Sequence, residues 1–194
     1  MHIMKAAIIF LFCLLSQREI SNDSKPLKIS ILDKDRQMKI LDTFIVGSDN
    51  KDGLLKALET AEYFTDSSSF KIRFLLAAIS KKESAHKNAN GHFLGYWQMS
   101  WTTVKSLRRV CPELPTVRSR QEFLSNISIQ RKYAERYLYY FVERFNLNID
   151  KDVAKMIMMY NQGEGKWKNS KHSYFSAIVK DYSDLQKKII TIRV

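Results

Sequence analysis

Glu83 closes the apolar run Phe74-Leu75-Leu76-Ala77-Ala78-Ile79 and precedes a polar loop and the aromatic and amide block Gly95-Tyr96-Trp97-Gln98-Met99. A carboxyl carried out of an apolar helix is partly withdrawn from water, so its pKa rises and it can stay protonated as a general acid. Amides and aromatic rings facing such an acid suit a sugar, which offers both polar groups and an apolar ring face. Tyr96, Trp97, Trp101 and Trp167 are the stacking candidates, and of these Trp101, at a helix start, is the one most suited to burial. Most glycosidases place two carboxylates across the scissile bond. Here the next acid after Glu83 is Glu113, beyond the loop and the helix that follows. One acid would then have to give a proton and later take one back; a distant acid folding into place would favour hydrolysis instead. His86 and His92 have neither cysteine nor acid between them and read as loop histidines, so neither a metal nor a cofactor is expected.

The elements that must position Glu83 are mostly helical. Apolar residues three and four apart predict helices over 54–64 and 70–84, the second burying Phe74, Leu75, Ala78 and Ile79 with Lys71, Arg73, Lys81 and Lys82 outside. Trp101–Val110 reads as a helix capped by Ser100 and ended by Pro112 and Pro115. Ser119 and Glu122 form a capping box for a helical stretch to about Asn146, divisible near Asn126. Asp150 is the expected cap of a helix through Tyr160 that Gly163 stops, and 174–190 closes the chain. Before these, 28–32, 37–41 and 43–46 are short β-branched runs that read as edge strands or an extended arm, and 47–53 is a turn whose acids lack calcium-loop spacing. The expectation is a mainly α, single catalytic domain over 51–194, behind an extension or linker over 18–50 with extended or β-containing segments.

The first 17 residues carry Lys5 and then an apolar stretch too short to span a bilayer, which reads as a secretory signal peptide, with an uncleaved anchor as the alternative. Export to the periplasm or cell envelope follows. Of the two cysteines, Cys13 lies in that leader, so Cys111 stands alone beyond it and the fold must hold without an internal disulfide. The formal charge of +12 draws anionic partners at long range. A wall polymer and, weakly, an anionic membrane surface fit an exported protein, whereas nucleic acid rests on charge alone and export argues against it.

Three blocks occur in order: Ala78-Ile79-Ser80-Lys81-Lys82-Glu83-Ser84, Gly95-Tyr96-Trp97-Gln98-Met99-Ser100 and Met159-Tyr160-Asn161-Gln162-Gly163-Glu164-Gly165. Together they resemble the Glu-Ser, Gly-Leu-Met-Gln and Ala-Tyr-Asn-Ala-Gly-x-Gly blocks of the soluble lytic transglycosylase family, which shares its fold with goose-type lysozyme. The resemblance spans roughly Phe70 to Trp167 and leaves the segment before Gly53 unmatched. It implies a lysozyme-like helical fold and cleavage of the β-1,4 bond between N-acetylmuramic acid and N-acetylglucosamine in peptidoglycan, leaving a 1,6-anhydro end. By matching position, Glu83 is the implied catalytic acid and then base, and Tyr160 holds its carboxyl. Asn161 and Gln98 present amides to the substrate, Ser84 orients the acid or the substrate, and Met99, Tyr96 and Trp97 border the binding cleft, with Met99 suited to the core. Trp97 replaces an aliphatic residue of the family and alters the nearest subsites. The implied partners are glycan strands, with wall or secretion-machinery proteins beside them. A lysozyme-like hydrolase and a non-catalytic wall-binding module on the same fold are the alternatives, the second prompted by Trp97 and by the unmatched amino-terminal segment.

Overall fold

The computed structural model describes residues 30–31, 34–60 and 67–191. The expected leader, residues 18–29 of the expected extension and residues 61–64 of the first expected helix lie outside them. Among the described residues the elements run β1 (Ser30–Ile31), α1 (Lys34–Phe44), α2 (Lys51–Glu59), α3 (Ser67–Ser84), β2 (Ala89–Asn90), β3 (Phe93–Gly95), β4 (Met99–Ser100), α4 (Trp101–Val110), α5 (Arg120–Ser125), α6 (Ile127–Phe145), α7 (Val153–Gln162), a 3-10 turn (Trp167–Asn169), α8 (His172–Ile189) and β5 (Ile190–Thr191). The fold is mainly α, as the periodicity predicts.

The centre of the molecule is α3. Every residue from Ile72 to Ser80 is buried, so this helix is enclosed on all sides rather than amphipathic. It packs chiefly against α8, and also against α1 and α6. That enclosure corrects the expected exposure of Arg73, which is buried with its guanidinium 4.6 Å from the Phe70 ring centroid. Burial lowers the Arg73 pKa, and the Glu135 charge opposes that shift. A buried Arg131–Glu135 ion pair on α6 lies in the same region.

The segment expected as edge strands over 37–41 and 43–46 is instead helix α1 and its exit turn. Gln37, Leu41 and Ile45 are buried in it at four-residue intervals, and that spacing, not the β-branched content, decided the structure. The expected turn 47–53 gives way to α2 at Lys51, where the Asn50 side chain caps Gly53 N. Ser100 caps α4, Ser119 caps α5, and Asn126 both ends α5 and caps α6. Asp150 does not cap α7. Its carboxylate pairs with Lys71 Nζ at 2.7 Å, while Asn148 Oδ1 takes the Asp150 and Lys151 amides and Asp152 holds the cap position. Gly163, at φ +77°, stops α7 with its N–H on Met159 O at 2.7 Å.

Between α3 and α4 lies a small antiparallel sheet in the order β2-β3-β4, with Asn90 opposite Leu94 and Leu94 opposite Met99. Alternation along β3 sends Leu94 into the core and leaves Phe93 about half exposed. A second pairing joins Ser30 to Thr191 and Ile31 to Ile190, bringing the first and last described elements together. Among the described residues no helix is long and apolar enough to cross a membrane.

Candidate active site

Glu83 stands in the last turn of α3, three residues beyond the fully buried Ser80, and opens into a cleft of about 250 Å³. The walls include Phe93, Gln98, Met99 and Thr103 from the sheet and α4, Tyr137 from α6, and Tyr160, Asn161, Gln162 and Gly163 from the end of α7. All three sequence blocks therefore meet at one place. Among these lining residues Glu83 is the one carboxylate.

Burial raises the Glu83 pKa; a hydrogen bond from Tyr174 and the Lys82 charge oppose the rise without cancelling it. The Tyr174 hydroxyl donates a hydrogen bond to Glu83 Oε1. Tyr174 is itself held neutral, first by burial and then by the Glu83 charge and this same bond, and a hydrogen bond with Asn161 works the other way. Asn161, on the cleft wall, is thus linked to the acid through Tyr174.

This pairing corrects the role implied for Tyr160. Its hydroxyl donates to Trp97 O at 2.7 Å, not to Glu83. Tyr160 is almost wholly buried and its ring lies 5.4 Å from that of Tyr137. Tyr174 takes the expected place because α8 packs along α3. Tyr174, Ile178, Tyr182 and Leu185 follow a four-, four- and three-residue spacing, and the last three are buried. A tyrosine on that stripe, with its hydroxyl needing a buried partner, is the sequence signal for its role.

Ser84 serves the backbone of the second block rather than a ligand. Its Oγ donates toward Tyr96 O at 2.8 Å and Ser80 O at 3.1 Å, and accepts from Lys87 N at 3.1 Å. The neighbouring carbonyls Tyr96 O and Trp97 O are therefore fixed by the first and third blocks, through Ser84 and Tyr160. Tyr96 and Trp97 are each 1% exposed, which overturns their expected place as cleft aromatics. Trp97 Nε1 donates to Leu76 O at 2.9 Å, docking the indole on α3. Trp101, expected as the buried one, is only partly buried. Phe93 is the exposed aromatic that does line the cleft, and the alternation His92-Phe93-Leu94 was its signal.

Gln98 and Met99 line the cleft as expected, Met99 as a buried core residue that also reaches it. Gln98 sits at φ +48°, with its Nε2 on Gly95 O at 2.7 Å. Gly95 is at φ +74°, and a Cβ there would lie 2.0 Å from Gln130 Oε1. That oxygen accepts the Tyr96 amide at 3.1 Å, while Gln130 Nε2 reaches Asn88 Oδ1 at 3.0 Å and Leu124 O at 3.1 Å. Gln130 is 1% exposed, a buried amide with both ends engaged that brackets the loop from α6. Nothing in the local sequence of α6 marks it for this role.

The exit from α3 is unusual. Ala85 and His86 both have left-handed backbones, φ +52° and +60°. The bond from Ala85 N to Lys81 O at 3.0 Å is the single closing bond of an αL cap, with alanine where glycine is usual, and His86 N reaches further back to Ser80 O at 3.3 Å. His86, expected as a loop histidine, is 4% exposed, with Nδ1 3.1 Å from Ser80 Oγ and its ring 5.8 Å from that of Phe44. Burial and the Lys81 charge push its pKa down to about 4, against the Asp181 charge. His92 is exposed. Among the described residues no group of three or more His, Cys, Asp or Glu is arranged to hold a metal ion.

No family model, no curated protein and no solved structure matches this chain.

Proposed function

We propose that the chain is an exported peptidoglycan lytic transglycosylase on a lysozyme-like helical fold, acting in the cell envelope and needing no cofactor. The observation that carries this reading is a single carboxyl, Glu83, its pKa raised by burial, at a cleft where the three sequence blocks converge. Tyr174 occupies Oε1 and leaves Oε2 for the glycosidic oxygen between N-acetylmuramic acid and N-acetylglucosamine. Glu83 gives its proton to that oxygen, and the substrate's acetamido group stabilises the positive centre. Glu83, now a carboxylate, takes the proton of the 6-hydroxyl as that oxygen closes the 1,6-anhydro ring. A lining with one carboxylate favours this internal transfer over hydrolysis by an acid and base pair. Gln98 and Asn161 supply amides to the sugar or its peptide, and Phe93 offers a ring face.

The test is digestion of purified peptidoglycan with mass analysis of the released fragments. Anhydro ends are expected, and reducing ends would move the assignment to a hydrolase. Glu83→Gln is expected to lower the rate by at least about a hundredfold, and retention of full activity would remove Glu83 from the role. Binding without any product would favour the wall-binding alternative, although Trp97, one of its two motives, is now accounted for as a core residue.

A further inference from the structure

Past Gly163 the chain leaves the cleft and turns through Trp167–Asn169, which packs on α7. Ser170 Oγ lies 3.4 Å from Asn161 Oδ1, so the turn is tethered to a residue of the cleft wall. The Trp167 ring is partly exposed, with Lys155 Nζ 5.5 Å and Lys168 Nζ 5.7 Å from its centroid. Lys155 Nζ also lies 6.0 Å from the Phe145 ring, on whose other contact, at 5.9 Å, sits Arg144. Glu164 is taken up by Arg144 at 2.8 Å. Among the described residues Lys155 and Lys168 belong to no ion pair. A ring face holds an ammonium nearby without neutralising it, so this shelf keeps its positive charge.

Resting on the function proposed above, we infer that the shelf of Lys155, Trp167 and Lys168 is a subsite for the carboxylate-bearing peptide stem of the strand held in the cleft. In a peptide-bearing strand the lactyl carboxyl of N-acetylmuramic acid is amide-linked to the stem, so the strand's negative charge lies in the stem carboxylates; a strand stripped of stems keeps only the lactyl carboxylate on the sugar itself. The cleft wall offers amides and hydroxyls besides Glu83, which suits sugar, whereas the shelf offers charge and an apolar face. Lys155 and Gln162 lie seven residues apart on one face of α7, roughly 10 Å along its axis. About three extended residues span that distance, so a stem branching from a sugar beside Gln162 reaches Lys155. The overall charge of +12 adds attraction at longer range.

The experiment compares turnover of peptide-bearing strands with that of strands stripped of stems, for the full chain and its variants. The wild type is expected to favour peptide-bearing strands in KM, and Lys155→Ala/Lys168→Ala is expected to reduce that preference roughly three- to tenfold. Trp167→Phe should retain most of it, and Lys105→Ala/Arg109→Ala, on the exposed side of α4, should leave it intact. Equal kcat/KM on the two substrates, or a preference untouched by the lysine variants, would overturn the subsite. Cosedimentation of Glu83→Gln protein with both strands separates the two ideas. Stem-dependent binding lost in the lysine variants supports the shelf even if no strand is turned over, an outcome that sinks the transglycosylase reading alone. Polyphosphate displacing the protein better than free stem peptide would reassign the shelf to a phosphate polymer.

Discussion

At the scale of single residues, Glu83 and His86 are two titratable groups at the same helix end whose pKa values are shifted in opposite directions. Burial raises Glu83 and lowers His86, in each case favouring the neutral form. Tyr174→Phe removes the hydrogen bond that opposes the rise at Glu83. On the proposed function it is therefore expected to carry the alkaline limb of the pH–rate profile upward while cutting kcat by about tenfold through lost orientation. An unchanged limb would mean that Tyr174 only fills space. His86 acts on stability. Between its unfolded pKa near 6.5 and its folded value of about 4, the unfolded chain binds the proton more tightly. Stability is then complete above about pH 6.5 and falls as pH drops toward 4, by at most about 3 kcal/mol. Urea titrations over that range should show this slope in the wild type and a flatter one in His86→Gln. Glu83 has the opposite sign: its raised pKa costs stability as pH climbs through the folded value, so Glu83→Gln should gain stability at neutral pH and less at acidic pH.

Among the elements, the loop from α3 to α4 is set by backbone bonds more than by its own side-chain packing. Gly95→Ala would press a methyl group onto Gln130, which two further hydrogen bonds keep from moving aside, and would add left-handed strain. A loss of about 2–4 kcal/mol is expected, together with a distorted Gln98. Ala85→Gly is expected to do the reverse, gaining up to about 1 kcal/mol by relieving the left-handed alanine at the end of α3. Thermal melts of the two variants would check both signs. The helices were legible because their buried residues recur at three and four, and their caps at Ser100, Ser119, Asn126 and Gly163 are local signals. The 37–46 stretch misled because β-branched content competes with periodicity in a short run. At the site, Glu83, Gln98 and Asn161 could be placed from their blocks. Tyr174 takes the role expected of Tyr160 because the packing of α8 on α3 brings its hydroxyl to Glu83, a long-range contact that the local blocks do not encode. Trp97 looked like a cleft residue since local sequence does not say that its N–H has a helix carbonyl, Leu76 O, to meet.

For the molecule as a whole, helix α3 ties stability to the candidate site, because the helix that forms the centre of the core also carries Glu83 in its last turn. A mutation that loosens α8 from α3 should reach Glu83 through Tyr174 before the chain unfolds. Cys111, at the end of α4, is 2% exposed and is the one cysteine among the described residues. In a Cys13→Ser protein its thiol becomes a clock for opening of the α4 end, since a labelling reagent reacts only with open molecules. A strand fragment that binds the closed form with dissociation constant Kd should slow labelling by the factor 1 + [L]/Kd. The buried sulfur thus offers a chemical stopwatch for ligand affinity that runs whether or not any bond is cut.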